Sequence, residues 1–294
     1  MLQLENITRS YGDRQVLHDV SFTVQPGRMT GFVGGNGAGK TTTMRIILGV
    51  LSADGGTVTK DGKPLTAGDR HRFGYMPEER GLYPKMKVEE QLVYLARLHG
   101  FSSSRATQNT RELLESLGLE ERANDTLESL SLGNQQRAQI AAALVHQPDL
   151  LVLDEPFSGL DPLAVDTVVG VLKERADAGV PVLFSSHQLD IVERLCDDLV
   201  IIANGEIRAS GSREALREKH ATRRFELQAG TDIGWIRGLP GVDVVEFDGG
   251  YALFDADTDE TAQLVLRRAV EAGAVTTFHP QRPSLAHIFR EVIR

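Results

Sequence analysis

Gly34-Gly35-Asn36-Gly37-Ala38-Gly39-Lys40-Thr41 is the stretch whose reading decides the fold. It follows an apolar, strand-like run, Met29 to Val33, and leads into a helical one, Thr42 to Leu48. A G-x-x-x-x-G-K-[ST] pattern between a strand and a helix is a phosphate-binding loop. Glycines let the backbone wrap closely, so successive N–H groups, Ala38 and Thr42 among them, converge on an anion at the helix N-terminus. Lys40 supplies a point charge for the β- and γ-phosphates, and the Thr41 hydroxyl is a ligand for Mg²⁺.

Bulk properties set the frame. With 294 residues the chain holds one large domain, or one of about 200 residues with a small companion. Its 41% hydrophobic and 25% charged residues are those of an ordinary soluble globular protein. A net charge of −9 argues against a general nucleic-acid binder, although not against a local basic patch. The single cysteine, Cys196, rules out an intrachain disulfide and fits a reducing compartment. It reads as a small core residue near a helix end. No apolar run reaches the roughly 18–20 residues that span a bilayer, and no signal-peptide pattern opens the chain. A cytoplasmic protein is expected, with any membrane role supplied by a partner.

Working outward, residues 2–8 and 20–24 alternate apolar and polar positions as half-buried antiparallel strands do. Thr57 to Lys60 is a short strand between glycine turns. From Val88 to about Val145 the apolar spacing is helical. Leu150 to Leu153 and Val180 to Ser185 are buried-type strands around a helical stretch, Pro162 to Ala178, as a parallel β-α-β crossover requires. The charged helical segment Arg213 to His220 marks a boundary. Beyond it come strands at Phe225 to Gln228, Val242 to Phe247, Tyr251 to Phe254 and Val275 to Phe278. Short or longer helices are expected at Asp232 to Gly238, Thr261 to Ala272 and Leu285 to Ile293, and Asp248-Gly249-Gly250 is a hairpin turn. That order predicts a small split β-α-β, ferredoxin-like domain. The expected organisation is α/β: a P-loop NTPase core with an antiparallel β-subdomain and a helical subdomain over 1–218, then an α+β domain over 219–294.

Leu150-Leu151-Val152-Leu153-Asp154-Glu155 is an apolar strand ending in two acids. Asp154 is placed to hold Mg²⁺, and Glu155 to polarise water against a γ-phosphate. Upstream, Leu130-Ser131-Leu132-Gly133-Asn134-Gln135-Gln136-Arg137 opens a helix. With this segment the chain resembles the nucleotide-binding subunits of ATP-binding-cassette (ABC) proteins, whose signature is LSGGQ, and the resemblance runs over residues 1 to about 215.

The resemblance implies further roles. Tyr11 stands where an aromatic stacks on adenine, Ser158-Gly159-Leu160-Asp161 matches the loop that crosses the dimer interface, and His187 matches the histidine that contacts the γ-phosphate. Ser131 and Gly133 match the pair that touches the ATP held by an opposing subunit. Glu78 stands where the family has a glutamine; a carboxylate there could ligate Mg²⁺ but lacks the amide's donor. Gly35 replaces a proline, and Leu132 and Asn134 replace a glycine and a glutamine. The run Gly74 to Met86 looks like that of ABC-2-type exporter ATPases, some linked to sodium or drug efflux, and lies where a membrane partner docks in relatives.

The implied protein is an ATPase that uses ATP and Mg²⁺, works as a head-to-tail homodimer and powers a transmembrane permease at the inner face of the membrane. Two other readings stand beside it: a soluble ABC ATPase acting on nucleic acid or ribosomes, and a P-loop phosphotransferase. The second would leave the Ser131 segment and His187 without a purpose. The C-terminal domain could be a ligand sensor, a dimerisation module or a docking surface.

Overall fold

The computed structural model describes residues 1–79, 81–220, 223–281 and 284–293. Arg80, inside the run read as a docking segment, lies outside the described residues. The chain forms two compact units, Met1–Arg213 and Glu214–Val292.

The first unit opens with a hairpin, β1 (Leu2–Tyr11) and β2 (Arg14–Val24), both longer than their apolar alternation suggests. Leu2, Leu4 and Ile7 of β1 and Leu17, Val20, Phe22 and Val24 of β2 face inward. After β3 (Met29–Val33) and α1 (Lys40–Ile47), β4 (Gly55–Lys60) and β5 (Lys63–Pro64) complete a four-stranded antiparallel sheet ordered β2-β1-β4-β5. The single turn α2 (Ala67–Arg70) leads into β6 (Phe73–Met76), a strand too short and glycine-interrupted to stand out in the sequence.

Three helices follow: α3 (Val88–Leu98), α4 (Ser103–Ser116) and α5 (Leu132–Leu144). Leu92 and Ala96 of α3 and Leu113 and Leu114 of α4 supply their buried faces. Serines cap two of them. Ser102 Oγ accepts from the Arg105 N–H, and Ser131 Oγ from the Asn134 N–H, each satisfying a first-turn donor.

β7 (Leu150–Leu153), α6 (Pro162–Asp177) and β8 (Val182–Ser186) form the expected parallel crossover. Then come α7 (Leu189–Leu195), β9 (Asp198–Ala203) and β10 (Glu206–Ser212). The second sheet runs β10-β9-β3-β8-β7-β6, parallel except for β10 at its edge. One core joins the two sheets through α1: Phe22, Phe32, Met44, Ile47, Val152 and Ile202 belong to it. Burying each such side chain contributes about 1.5–3 kcal/mol, so the helix that starts at Lys40 is anchored from behind. Cys196 ends α7 and is buried against Gly31, where a Cβ would lie 2.5 Å from its Sγ; burial pushes the thiol pKa up.

The second unit begins in α8 (Arg213–Lys219) and contains β11 (Arg224–Ala229), β12 (Val242–Asp248), β13 (Tyr251–Ala256), α9 (Asp259–Ala272), β14 (Val275–Pro280) and α10 (Leu285–Val292). Its antiparallel sheet has the order β12-β13-β11-β14. With strands counted from β11, that is the 2-3-1-4 arrangement of a split β-α-β fold. Leu227, Ala252 and Phe254 pack with Ala262, Val265 and Ala269 of α9. The first crossover carries only a 3₁₀ turn, Gly234–Gly238, where a short helix is expected; two glycines in five residues are too costly for a longer one. Trp235 in this turn packs against the core beneath the Arg268 guanidinium, 4.9 Å from its ring.

Candidate active site

The site forms where β3, β8 and β7 end, beside one another in a parallel sheet. From Val33 the chain turns through glycines whose necessity is geometric. A Cβ on Gly34 would lie 2.5 Å from the Ile202 carbonyl oxygen, and Gly39 holds the N-cap of α1 at φ 109°. Gly39 has no side chain to cap the helix, so first-turn N–H groups are left for an anion. A second element supports the loop. The Asn204-Gly205 turn between β9 and β10, both residues at positive φ, docks its Gly205 N–H on the Ala38 carbonyl at 3.0 Å.

Lys40 is 9% exposed and its Nζ donates to the Gly34 carbonyl at 2.7 Å and the Gly35 carbonyl at 3.2 Å. Thr41 Oγ1 donates to Asp154 Oδ2 at 2.9 Å, which ties the loop to the end of β7. Asp154 is buried, and its Oδ1 accepts from Ser185 Oγ at 2.5 Å. Each carboxylate oxygen keeps a further lone pair beyond these bonds. The Asp154 charge, after burial itself, pushes the Tyr75 phenol pKa up.

Glu155 has φ 52° and precedes Pro156, a place where backbone is driven toward extended conformations. Holding a non-glycine residue there costs about 1–3 kcal/mol. Its N–H donates to Ser185 Oγ at 2.8 Å, and its carbonyl accepts from Gln136 Nε2 at 3.0 Å. Its carboxylate is 3.0 Å from His187 Nδ1, just beyond β8; the histidine is exposed and Glu155 nearly buried.

These groups share one cavity of about 680 Å³. Asn36, Gly37, Ala38, Gly39, Lys40, Thr41 and Thr42 line it together with Glu78, Asp154, Glu155 and His187. Gly34 and Gly35 do not line it and reach the site through the carbonyls that Lys40 contacts. Val16 of β2 also lines the cavity; it lies outside the 20–24 stretch whose alternation marks this strand in the sequence. Tyr11 does not line it. That side chain stands exposed at the end of β1, with the Arg9 guanidinium 5.2 Å from its ring.

Ser131, Gly133 and Asp161 also lie away from the cavity. Ser131 caps α5, and Asp161 caps α6 by accepting from the Ala164 N–H at 2.9 Å. A Cβ on Gly133 would lie 3.6 Å from the Gly159 carbonyl oxygen, so the start of α5 and the Ser158-to-Asp161 loop are neighbours. This second cluster contributes nothing to the lining of the cavity.

A glycine loop between strand and helix, a buried lysine and a threonine bonded to a strand-end aspartate define a P-loop nucleoside triphosphatase. Comparison narrows the class. The model of the ABC transporter family matches residues 17–158, and that of the "ATP-binding protein DrrA1-3-like, C-terminal domain" family matches 211–293. The uncharacterized ABC transporter ATP-binding protein YhaQ of Bacillus subtilis (strain 168) is 36% identical over 294 residues, covering 100% of this chain and 98% of its own. The Nod factor export ATP-binding protein I of Burkholderia lata is 39% identical over 220 residues, 74% of this chain and 72% of its own. A solved structure described as the ATP-binding subunit of an ABC transporter superposes with TM-score 0.69 at 34% identity, over 74% of this chain and 92% of the other. The chain belongs to the ABC transporter family, as an ATP-binding subunit that hydrolyses ATP.

Proposed function

We propose that this chain binds MgATP in the β3–α1 cradle and, paired head to tail with a second copy, drives a transmembrane permease in export. The supporting observation is the division just described: Lys40, Thr41, Asp154, Glu155 and His187 meet at one cavity, while Ser131 and Gly133 are displayed outside it. A second copy can bring its Ser131 and Gly133 against the first copy's nucleotide, and Asp161 lies in the loop beside that contact. Tyr11, exposed at the end of β1, is assigned to stacking on adenine, an interaction worth about 1–3 kcal/mol, which would require the ring to exchange its Arg9 contact for the base.

Lys40 supplies the positive charge for the phosphates, at the start of the helix whose first-turn N–H groups have no side-chain cap. Hard oxygen donors suit Mg²⁺, which prefers one or two carboxylates plus phosphate oxygens. Thr41 and Asp154 would hold it, with Glu78 in the same cavity, and it would neutralise charge on the phosphate oxygens. The Glu155 carboxylate accepts the proton of an attacking water, whose oxygen bonds to the γ-phosphorus as the bond to the bridging β–γ oxygen breaks. His187 Nδ1 is placed against that carboxylate, which fixes its direction.

We assign residues 1–218 to the nucleotide-binding domain and 219–294 to an accessory domain. Among the described residues no helix is long and apolar enough to cross a membrane, so attachment to the inner face of the membrane is assigned to the permease. The export direction follows the Nod factor export relative and the Gly74-to-Met86 run. No nucleic-acid partner is assigned, in keeping with the net charge of −9. The test is to purify the tagged Glu155→Gln chain with MgATP from detergent-solubilised cells. A polytopic membrane protein in stoichiometric amount supports the proposal. Ribosomes, DNA or soluble proteins alone would replace it with the soluble ATPase reading.

A further inference from the structure

Glu155 is held in an unfavourable backbone conformation, and the groups that hold it come from two distant parts of the chain. Ser185, fully buried in β8, accepts from the Glu155 N–H while donating to Asp154. Gln136, 6% exposed in α5, points its Nε2 at two consecutive carbonyls, Glu155 at 3.0 Å and Pro156 at 3.1 Å. The Ser158 N–H also reaches the Glu155 carbonyl, at 3.2 Å. A buried amide that spends its donors on a strand-end turn, when backbone carbonyls of its own helix neighbours are already paired, fixes the position of that turn.

Gln136 lies in the second turn of the helix that Ser131 caps. The same helix therefore presents Ser131 and Gly133 at its exposed start and grips the Glu155 segment from its buried side.

We infer that Gln136 is a positioning residue for ATP hydrolysis: by clamping the Glu155–Pro156 segment to α5, it aims the Glu155 carboxylate and ties the cluster at Ser131 and Gly133 to the chain's own reaction site. The inference rests on the role proposed for Glu155. Gln136 touches neither nucleotide nor metal in this account. Its loss acts on the reaction step and not on ATP affinity, which is set by the loop at Lys40.

The experiment is a double-mutant cycle in the full chain with Gln136→Met and Glu155→Gln, reading ATP affinity, turnover and thermal stability for each variant. Met keeps the length and removes the donors. The expected result for Gln136→Met is a turnover at least about 10-fold lower, with ATP affinity unchanged within about 2-fold. In the Glu155→Gln background the same change should lower turnover by less than about 2-fold, because Gln136 then has no base to aim.

Unchanged turnover in Gln136→Met overturns the inference. So does a full 10-fold effect in both backgrounds, which would mean that Gln136 acts independently of Glu155. Undiminished turnover in Glu155→Gln alone removes the Glu155 role first, and is told apart because it needs no Gln136 variant. If Gln136→Met does not fold, Gln136→Asn, which keeps the amide but is one methylene too short to reach both carbonyls, carries the same expectations.

Discussion

Replacing Lys40 by alanine removes a charge held inside the glycine loop. Its Nζ lies against the Gly34 and Gly35 carbonyls, 2.7 and 3.2 Å away, so the loop itself holds the ammonium in place. A unit charge about 4 Å from a phosphate oxygen is worth about 4 kcal/mol at an effective dielectric constant near 20. Reaching the phosphate weakens the longer carbonyl contact, and a bond to a charged group contributes about 1.5 kcal/mol at the low end. The net loss is about 2.5–3 kcal/mol, or about 100-fold in ATP affinity. Calorimetric titration of wild-type and Lys40→Ala chains with MgATP measures it. AMP, which lacks the β- and γ-phosphates, should bind both chains alike. An affinity for ATP within about threefold of wild type, or an equal loss for AMP and ATP, would refute the assignment of Lys40 to those phosphates.

Other outcomes follow from the same geometry. Gly34→Ala places a methyl 2.5 Å from the Ile202 carbonyl oxygen and 2.8 Å from its Cγ2, which only movement of the loop or β9 can relieve; denaturant unfolding should show a loss of about 1–3 kcal/mol, together with weakened ATP binding. His146, 9% exposed with Nε2 donating to the Phe73 carbonyl, has its pKa pushed down from the usual 6.5 to about 4 by burial and then by the stacked His99. The unfolded chain then binds the proton first, so stability rises with pH between about 4 and 6.5 and falls as acid is added through that window. The loss from this group should reach about 2 kcal/mol near pH 5, and His146→Gln should flatten that part of the stability–pH curve.

The fold was legible where apolar pattern and turn chemistry agreed. Leu150 to Leu153 is buried at every position, as a central parallel strand should be, and Asp248-Gly249-Gly250 does join two paired strands. β6 was not legible, because four residues containing Gly74 carry no period of their own and gain stability only by pairing with β7. The helix α7 is seven residues with one buried side chain, Val192, too few to show a periodic face.

At the site, the loop and the strand-end acids were readable because charge and glycine are scarce in such positions. Ser185 and Gln136 were not. A serine in a strand and a glutamine in a helix reveal nothing until the fold brings both to the Glu155 backbone. Val16 was not legible because the alternation that marks β2 begins only at Val20, well after the strand itself starts at Arg14. The Glu155–His187 contact was foreseen only as two separate residues; their 3.0 Å approach depends on β7 and β8 being neighbours.

The most direct measurement of the account is the molar mass and ATP turnover of the purified Glu155→Gln chain with MgATP, by light scattering and phosphate release. The account predicts a mass of two chains and turnover at least about 100-fold below wild type, because two nucleotides close the pair and no base opens it. A single-chain mass with wild-type turnover would contradict it.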